Sequence, residues 1–191
     1  MSNITEKEAS ARAEVERARR EAQKEIRVVG DPVLRQRALP VEQFDRGLRK
    51  LIKHMVKTMH DAPGIGLAAP QIGLSQRLLV YDVDEGPQAL VNPVLSEYSA
   101  EVEEVEEGCL SVPGLNMPVV RSVSVRVQAF DGYGAPLDFI AEELEARVIQ
   151  HEFDHLEGTL ILDRTTASAR AEALREIAAQ GPNLHAVGGG L

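Results

Sequence analysis

The chain contains one cysteine, no tryptophan and few other aromatic residues, which occupy only 4% of its 191 positions. A single cysteine cannot form an internal disulfide, so the sequence is not that of a disulfide-stabilised secreted scaffold. No apolar run approaches the roughly 20 residues of a membrane-spanning helix, and the N-terminus lacks the apolar segment of a secretion signal. These absences predict an aliphatic core, a reduced cytoplasmic location and no membrane partner.

Basic residues are fewer than acidic ones, so the formal net charge is −9. No basic cluster stands out along the sequence, which argues against nucleic acid as a direct ligand. The hydrophobic share of 43% and the charged share of 27% are those of a soluble globular protein. A chain of this length is expected to form one well-cored domain with short extensions.

Three regions are predicted from composition and periodicity. Residues 1–25 are rich in interleaved Glu and Arg and form a charged helical N-terminal extension. Residues 26–165 form the central domain, which carries all the chemical motifs described below, and residues 166–191 form a C-terminal helix that ends in a flexible glycine-rich tail.

The predicted elements of the central domain are strands followed by a helix, which is typical of an α+β fold with an antiparallel or mixed sheet. We expect the strands to pack around a central metal-binding helix. The predicted helices cover residues 41–61 and 141–156, and the strands cover residues 78–83, 89–95 (interrupted at Asn92-Pro93), 101–107, 122–130 and 137–140.

The strongest chemical signal is the segment QHEFDH at residues 150–155. His151 and His155 are four residues apart, so both imidazoles project from the same face of a helix. Two such nitrogens and one thiolate would supply three corners of a tetrahedron and leave the fourth for water. Glu152 stands beside the first histidine, where its carboxylate is placed to take a proton from that water. The pattern predicts metal-assisted hydrolysis.

Cys109 lies in the segment EGCLS, where a predicted strand gives way to a turn. A free cysteine is most often a small buried hydrophobe. Here Gly108 permits close backbone approach and Glu107 is a poor neighbour for an inert thiol, which favours a ligand role. A ligating imidazole needs a second hydrogen-bond partner, and either Glu107 or Asp154 would serve.

The glycine-rich segment at residues 64–73 is ambiguous by itself. It lacks the third glycine of a dinucleotide fingerprint and the lysine of a P-loop. It fits a tight helix-to-strand connection. It also fits a set of backbone amides that pair with an extended peptide, with the Gln71 amide placed to hold an oxyanion.

Together these three segments, GIGLAAPQ at residues 64–71, EGCLS at 107–111 and QHEFDH at 150–155, resemble in order and character the motifs of the peptide deformylase family. The resemblance runs from about residue 26 to residue 162. It implies removal of formate from N-formylmethionine at the start of nascent bacterial or organellar polypeptides. The implied partners are formyl-methionine peptides, which the protein would encounter at the ribosome.

The resemblance also implies a role for each matching residue. Cys109, His151 and His155 would bind one divalent ion, preferably Fe(II), with zinc, nickel or cobalt as alternatives. Glu152 would act as general base and then acid, while the Gln71 side chain and the Leu110 backbone N–H would hold the oxyanion. Ile65 and Gly66 would pair with the substrate through their backbones. The residues implied to surround the methionine side chain are Ile65, Val105, Leu144, Val148, Arg147 and the ring of His151. Arg147 replaces an aliphatic residue of some members, so its head would cross the pocket rim or point to solvent.

Two other functions remain open at this point. A zinc metallopeptidase would use the same His-Glu-x-x-His helix, but its third ligand usually lies downstream, and Glu157 follows His155 too closely to reach back. A non-catalytic metal- or peptide-binding module would not need Glu152 and Gln71 together. Both alternatives leave at least one motif unexplained.

Overall fold

The protein is represented by a computed structural model that describes residues 2–83 and 85–180. Within this part of the chain the helices are α1 (Ser2–Glu25), α2 (Arg46–Asp61), α3 (Glu143–Leu156), α4 (Ile161–Arg164) and α5 (Ala167–Gln180). The strands are β1 (Gly66–Ala68), β2 (Leu78–Tyr81), β3 (Gln88–Ser96), β4 (Val102–Gly108), β5 (Asn116–Ser122), β6 (Ser124–Phe130) and β7 (Pro136–Glu142). The predicted flexible tail at 181–191 lies outside the described residues.

The strands form two antiparallel sheets, which confirms the α+β class predicted from the sequence. Five strands pair in the order β1-β2-β3-β6-β7, and β4 pairs with β5 as a separate two-stranded ribbon. The predicted interruption at Asn92-Pro93 is a bulge, since the pairing of β3 with β6 shifts register between Val91 and Val94. Asn92 adopts a φ of 53° there, a conformation that asparagine tolerates better than most residues.

Helices α2 and α3 cover opposite faces of the five-stranded sheet. Successive side chains of a strand alternate between faces, and β2 shows this directly. Leu78 and Val80 pack in the cluster that contains Met55 of α2, whereas Leu79 and Tyr81 pack in the cluster that contains α3. The sheet therefore separates the α3 side of the molecule from the α2 side.

Two strands and one helix boundary differ from the sequence prediction. Residues 66–68 form β1 where a loop was expected, and β5 was not predicted because Pro118 interrupts its apolar pattern. Helix α2 begins at Arg46 rather than near Val41. The side chain of Asp45 accepts a hydrogen bond from the Leu48 N–H, which caps the helix at that point.

Helix α1 is attached to the domain by its C-terminal end. Ala22 is buried, and the Glu25 carboxylate bonds to His54 and Thr58 of α2. Val15, further from this junction, is 65% exposed. The predicted N-terminal helix is present, and its attachment is confined to the end that leads into the domain. Among the described residues, no helix has the length and apolar character needed to cross a membrane.

Met55→Ala tests the packing of α2 on the sheet. Met55 is fully buried among aliphatic side chains, so the truncation is expected to lower the free energy of unfolding by about 2–5 kcal/mol. Val15→Ala is the control and should change it by no more than about 0.5 kcal/mol. Urea denaturation of both variants is the measurement, and equal stability would contradict the described position of α2.

Candidate metal centre

Helix α3 places His151 and His155 on one face, as their four-residue spacing predicted. Their ring centroids are 5.2 Å apart, and both side chains are buried. The helix starts after Glu142 and is followed by Gly158, which has a φ of 75° and lies against the backbone of Arg35. A side chain at residue 158 would be strained and crowded, so glycine suits this end of the helix.

Cys109 meets these histidines from the end of β4. Its Sγ lies 3.3 Å from His155 Nε2, and the three candidate ligand atoms of Cys109, His151 and His155 all lie within 4.8 Å of one another. Ligand atoms held about 2.0–2.3 Å from an ion at tetrahedral angles are separated by roughly 3.3–3.8 Å. The 3.3 Å between sulfur and nitrogen falls in this range, and the sulfur-nitrogen donor set suits a transition-metal ion.

The Gln71 side chain points toward the cysteine. Its Oε1 accepts a hydrogen bond of 2.7 Å from the Ala68 N–H, which leaves the amide nitrogen directed into the site. That nitrogen lies 3.3 Å from Ser111 Oγ and 3.9 Å from Cys109 Sγ. Gln71 is 1% exposed, so its donor is held in a site from which water is largely excluded.

Glu152 is packed against β1. A Cβ added to Gly66 would lie 2.9 Å from both Cγ and Cδ of Glu152, so only glycine leaves room for this carboxylate. Burial raises the pKa of Glu152 to about 7 despite the opposing influence of His151 and Arg121. Its Oε2 has no hydrogen-bond partner among the described residues. A buried carboxyl group with a free oxygen is suited to exchange a proton with a substrate or water.

Glu107, and not Asp154, is the second hydrogen-bond partner of His151. Its Oε2 lies 3.0 Å from His151 Nδ1, which leaves Nε2 of this histidine for a metal. Arg121 donates two hydrogen bonds to the same carboxylate and Arg147 donates one. Burial by itself would raise the pKa of Glu107, but the hydrogen bonds from His151 and Arg121 outweigh it and lower the pKa to about 2.

Arg147 points neither to a pocket rim nor to solvent. Its guanidinium is buried and donates to Glu107, to the carbonyl of Val119 and to the carbonyl of Glu103. The head group thus joins α3 to both strands of the β4–β5 ribbon. Only the aliphatic stem of Arg147 remains available to an apolar ligand.

The other residues predicted to line an apolar pocket differ in exposure. Val148 is fully buried, and Ile65 packs against its cluster. Leu144 is 48% exposed and Val105 is 37% exposed, so both present apolar surface at the outside of the site. Such exposed aliphatic side chains beside a buried one suit an apolar ligand group that enters from solvent.

The sequence did not predict how Arg121 and Asp154 support the residues around Cys109, His151 and His155. Arg121 bridges Glu107 and Asp154 inside the protein. Asp154 bonds to Arg121 and Arg164 rather than to a ligating histidine. A lone arginine on a strand carries no sequence signal of this role, because the partners are set by the pairing of β4 with β5.

The segment that follows α1 ties two parts of the site together. The Arg27 N–H donates to the carbonyl of Gln71 with a length of 2.7 Å. Two residues later the Val29 N–H donates to the carbonyl of Ser111 with a length of 2.8 Å. The loop that carries Gln71 and the loop that follows Cys109 are therefore held by one short stretch of backbone.

Glu157, the nearest downstream acid, is engaged elsewhere. Its carboxylate pairs with Arg77 and Arg37. It does not take part in the Cys109, His151 and His155 group, which removes the structural basis for a peptidase-type ligand set.

Comparison with known proteins agrees with this geometry. The family model described as Polypeptide deformylase matches residues 23–171. A curated peptide deformylase from Thermotoga maritima is 50% identical over 148 residues, which is 76% of this chain and 88% of that protein. One from Acidothermus cellulolyticus is 50% identical over 152 residues, with 80% and 84% covered.

Solved structures lead to the same family. The crystal structure of the Thermotoga maritima enzyme superposes with a TM-score of 0.73 at 50% identity and covers 74% of this chain and 96% of that one. A Synechococcus elongatus peptide deformylase solved with actinonin gives a TM-score of 0.76 at 43% identity, with 79% and 84% covered. The chain belongs to the peptide deformylase family.

Proposed function

We propose that this chain hydrolyses the formyl amide of N-formylmethionine at the start of nascent polypeptides and releases formate. The observation that carries the proposal is the buried group of Cys109, His151 and His155, whose ligand atoms lie within 4.8 Å of one another. Glu152 and Gln71 lie beside this group, so a metal site, a proton acceptor and an amide donor share one site.

Cys109, His151 and His155 would hold one divalent ion on α3, which would make α3 the metal-binding helix at the centre of the domain. The thiolate favours a softer ion, and we propose Fe(II), with zinc, nickel and cobalt as alternatives. When bound, such an ion would supply Lewis acidity and lower the pKa of a nearby water. Glu107 would fix the orientation of His151 by accepting its Nδ1–H.

Glu152 would move the protons of the reaction. It would take one from the attacking water as a C–O bond forms at the formyl carbon, and pass it to the methionine nitrogen as the C–N bond breaks. The second proton of the water passes from formic acid to the amine, so the products are formate and an ammonium group, and atoms and charge balance. A pKa raised by burial to about 7 suits a group that must accept and then release a proton.

Gln71 and Leu110 would stabilise the negative charge on the formyl oxygen. The Gln71 amide nitrogen is directed toward Cys109 by the hydrogen bond that its Oε1 accepts. Leu110 follows Cys109 in a turn closed by the hydrogen bond from the Val112 N–H to the Cys109 carbonyl, which supports its backbone N–H as the second donor. Two fixed donors of this kind can contribute several kcal/mol to the rate.

The methionine side chain would rest on apolar residues outside the metal group. Val148 and the ring of His151 would form its base, Ile65, Val105 and Leu144 its sides, and the stem of Arg147 would complete it. The exposure of Val105 and Leu144 supports entry from solvent. Backbone groups of Ile65, the residue before edge strand β1, and of Gly66, its first residue, would pair with the substrate as an added strand.

This function would place the protein in the bacterial cytoplasm, where nascent chains that leave the ribosome carry formylmethionine. We assign the chemistry to residues 26–165, with residues 1–25 and 166–191 as extensions. The match of the family model to residues 23–171 supports this division.

Formate release from formyl-Met-Ala-Ser, by protein purified without oxygen, tests the activity, and metal analysis of the same sample identifies the ion. Glu152→Gln should retain about one metal per chain and lose activity by about 10²-fold or more. Unchanged turnover in this variant would eliminate Glu152 as the proton-transfer group. Full metal occupancy in the unmutated protein with no formate released would contradict the proposed function.

Cys109→Ala tests the ligand set. The loss of the only thiolate should reduce metal content and activity together, because two imidazoles alone bind a soft ion weakly. Absorption spectra of the cobalt-loaded protein provide a second readout, in which the sulfur-to-metal charge-transfer band should disappear. A variant with full metal content, full activity and an unchanged spectrum would remove Cys109 from the site.

Gly66→Ala tests the space that β1 leaves for Glu152. The new Cβ would be 2.9 Å from Cγ and Cδ of that side chain, so the carboxylate must move. We expect kcat to fall about 10-fold or more while metal content stays unchanged, since no ligand is touched. Gly64→Ala is the matched comparison and should be milder, because its Cβ meets the end of the flexible Leu110 side chain. Equal effects would count against the proposed contact.

A further inference from the structure

Helix α2 carries a row of cations on the side that faces away from the metal centre. The row consists of Arg46, Arg49, Lys50 and Lys53. Their spacings of three, one and three residues place them on one face of the helix over about 10 Å. Their charges stand out in a chain whose net charge is −9. The sequence prediction against nucleic acid rested on the net charge and on the absence of a basic cluster, and these four residues form such a cluster on one helix face.

The same four cations line a groove between α2 and the turn that joins β6 to β7. The groove has a volume of about 570 Å³, and Tyr133 and Gln88 also line it. The turn lies close to the helix, because a Cβ on Gly132 would be only 2.7 Å from Ile52 Cδ1. This contact fixes the turn that presents Tyr133 beside the basic residues.

Tyr133 provides an aromatic surface in this groove. The side chain is 77% exposed, which is unusual for a large aromatic residue. The Arg49 guanidinium carbon lies 5.1 Å from the centroid of its ring, within the range of a cation–π contact. The groove thus combines positive charge with a ring on which a base can stack.

The cations of the groove are available to a ligand. Within residues 2–83 and 85–180, Arg46, Lys50 and Lys53 make no salt bridge, whereas the neighbouring Lys57 pairs with Asp61. Asp131 is the one acid among the described lining residues, and its Oδ1 already accepts hydrogen bonds from two N–H groups of its own turn. A bound anion would therefore meet an excess of positive charge.

We propose that this groove binds single-stranded nucleic acid without sequence preference. Exposed cations beside an aromatic ring are the combination that binds the backbone and bases of a flexible single strand. A free mononucleotide fits less well, because these lysines are exposed and the described lining residues include no buried donor that would fix a phosphate. The acidic remainder of the surface would repel a polyanion elsewhere and direct it to this face.

Such a site would act independently of the metal centre. Helix α2 and helix α3 lie on opposite faces of the five-stranded sheet, so a strand bound here would not enter the formyl-peptide site. The inference therefore does not depend on the proposed function, and it can be tested while formate release from a short peptide stays unchanged.

Fluorescence anisotropy with labelled 15-nucleotide oligo-uridine and oligo-deoxythymidine is the direct test, on the full-length metal-loaded protein. Neutralisation of three or four phosphates predicts that affinity falls about 20- to 50-fold between 50 and 200 mM salt. Lys50→Glu with Lys53→Glu should reduce affinity at least 10-fold, and Tyr133→Ala should reduce it about 5- to 100-fold. The groove offers no group that selects the 2′-hydroxyl, so both oligonucleotides should bind; a preference for one would identify the natural source.

A matched control is available on exposed surfaces elsewhere. Arg12→Glu with Arg175→Glu changes the net charge by the same amount and lies outside the groove. Unchanged formate release from formyl-Met-Ala-Ser would show that each variant is folded. An equal loss of affinity in the two double variants would overturn the proposal, as would no binding at 50 mM salt. Binding to vesicles with 30% phosphatidylglycerol, but not to either oligonucleotide, would overturn it in favour of a membrane surface.

Discussion

The buried carboxylate of Glu107 joins the parts of the protein on which the metal site depends. It is fully buried, and an uncompensated charge in such a position would cost several kcal/mol. Arg121 from β5, together with Arg147 and His151 from α3, supplies the compensating hydrogen bonds. Because β4 leads directly to Cys109, the same contacts set the position of the thiol relative to the imidazoles. Loss of one partner would leave charge buried and unpaired, so the group is maintained as a unit.

Much of the site could be predicted from the spacing of residues along the chain. The contacts that depend on how strands pair could not. The four-residue interval of His151 and His155 determines their common face whatever surrounds the helix. The roles of Arg121 and Arg147 depend on the register that sets Glu107 opposite Met117, which no local pattern reveals. For the same reason the sequence left the second partner of His151 undecided.

The fold was predictable where the apolar period was long and uninterrupted, as in α2 and β6. It was not predictable in β1, which has three residues, or in β5, where Pro118 interrupts the alternation. Both strands are defined by the partners they pair with rather than by their own composition. The groove beside Tyr133 was invisible for a similar reason, since it exists only because the β6–β7 turn packs on α2.

The two backbone hydrogen bonds made by Arg27 and Val29 mark where the chain that leaves the N-terminal helix begins to hold the site. Upstream of Ile26, Glu25 bonds to α2, and Ala22 lies in a small buried cluster against which Leu110 packs. Substitutions at the exposed positions of α1 ahead of Ala22 should therefore have little effect on turnover. Changes in the four residues that follow α1 would act on both loops at once, and Val29 also packs against the buried cluster that contains Cys109.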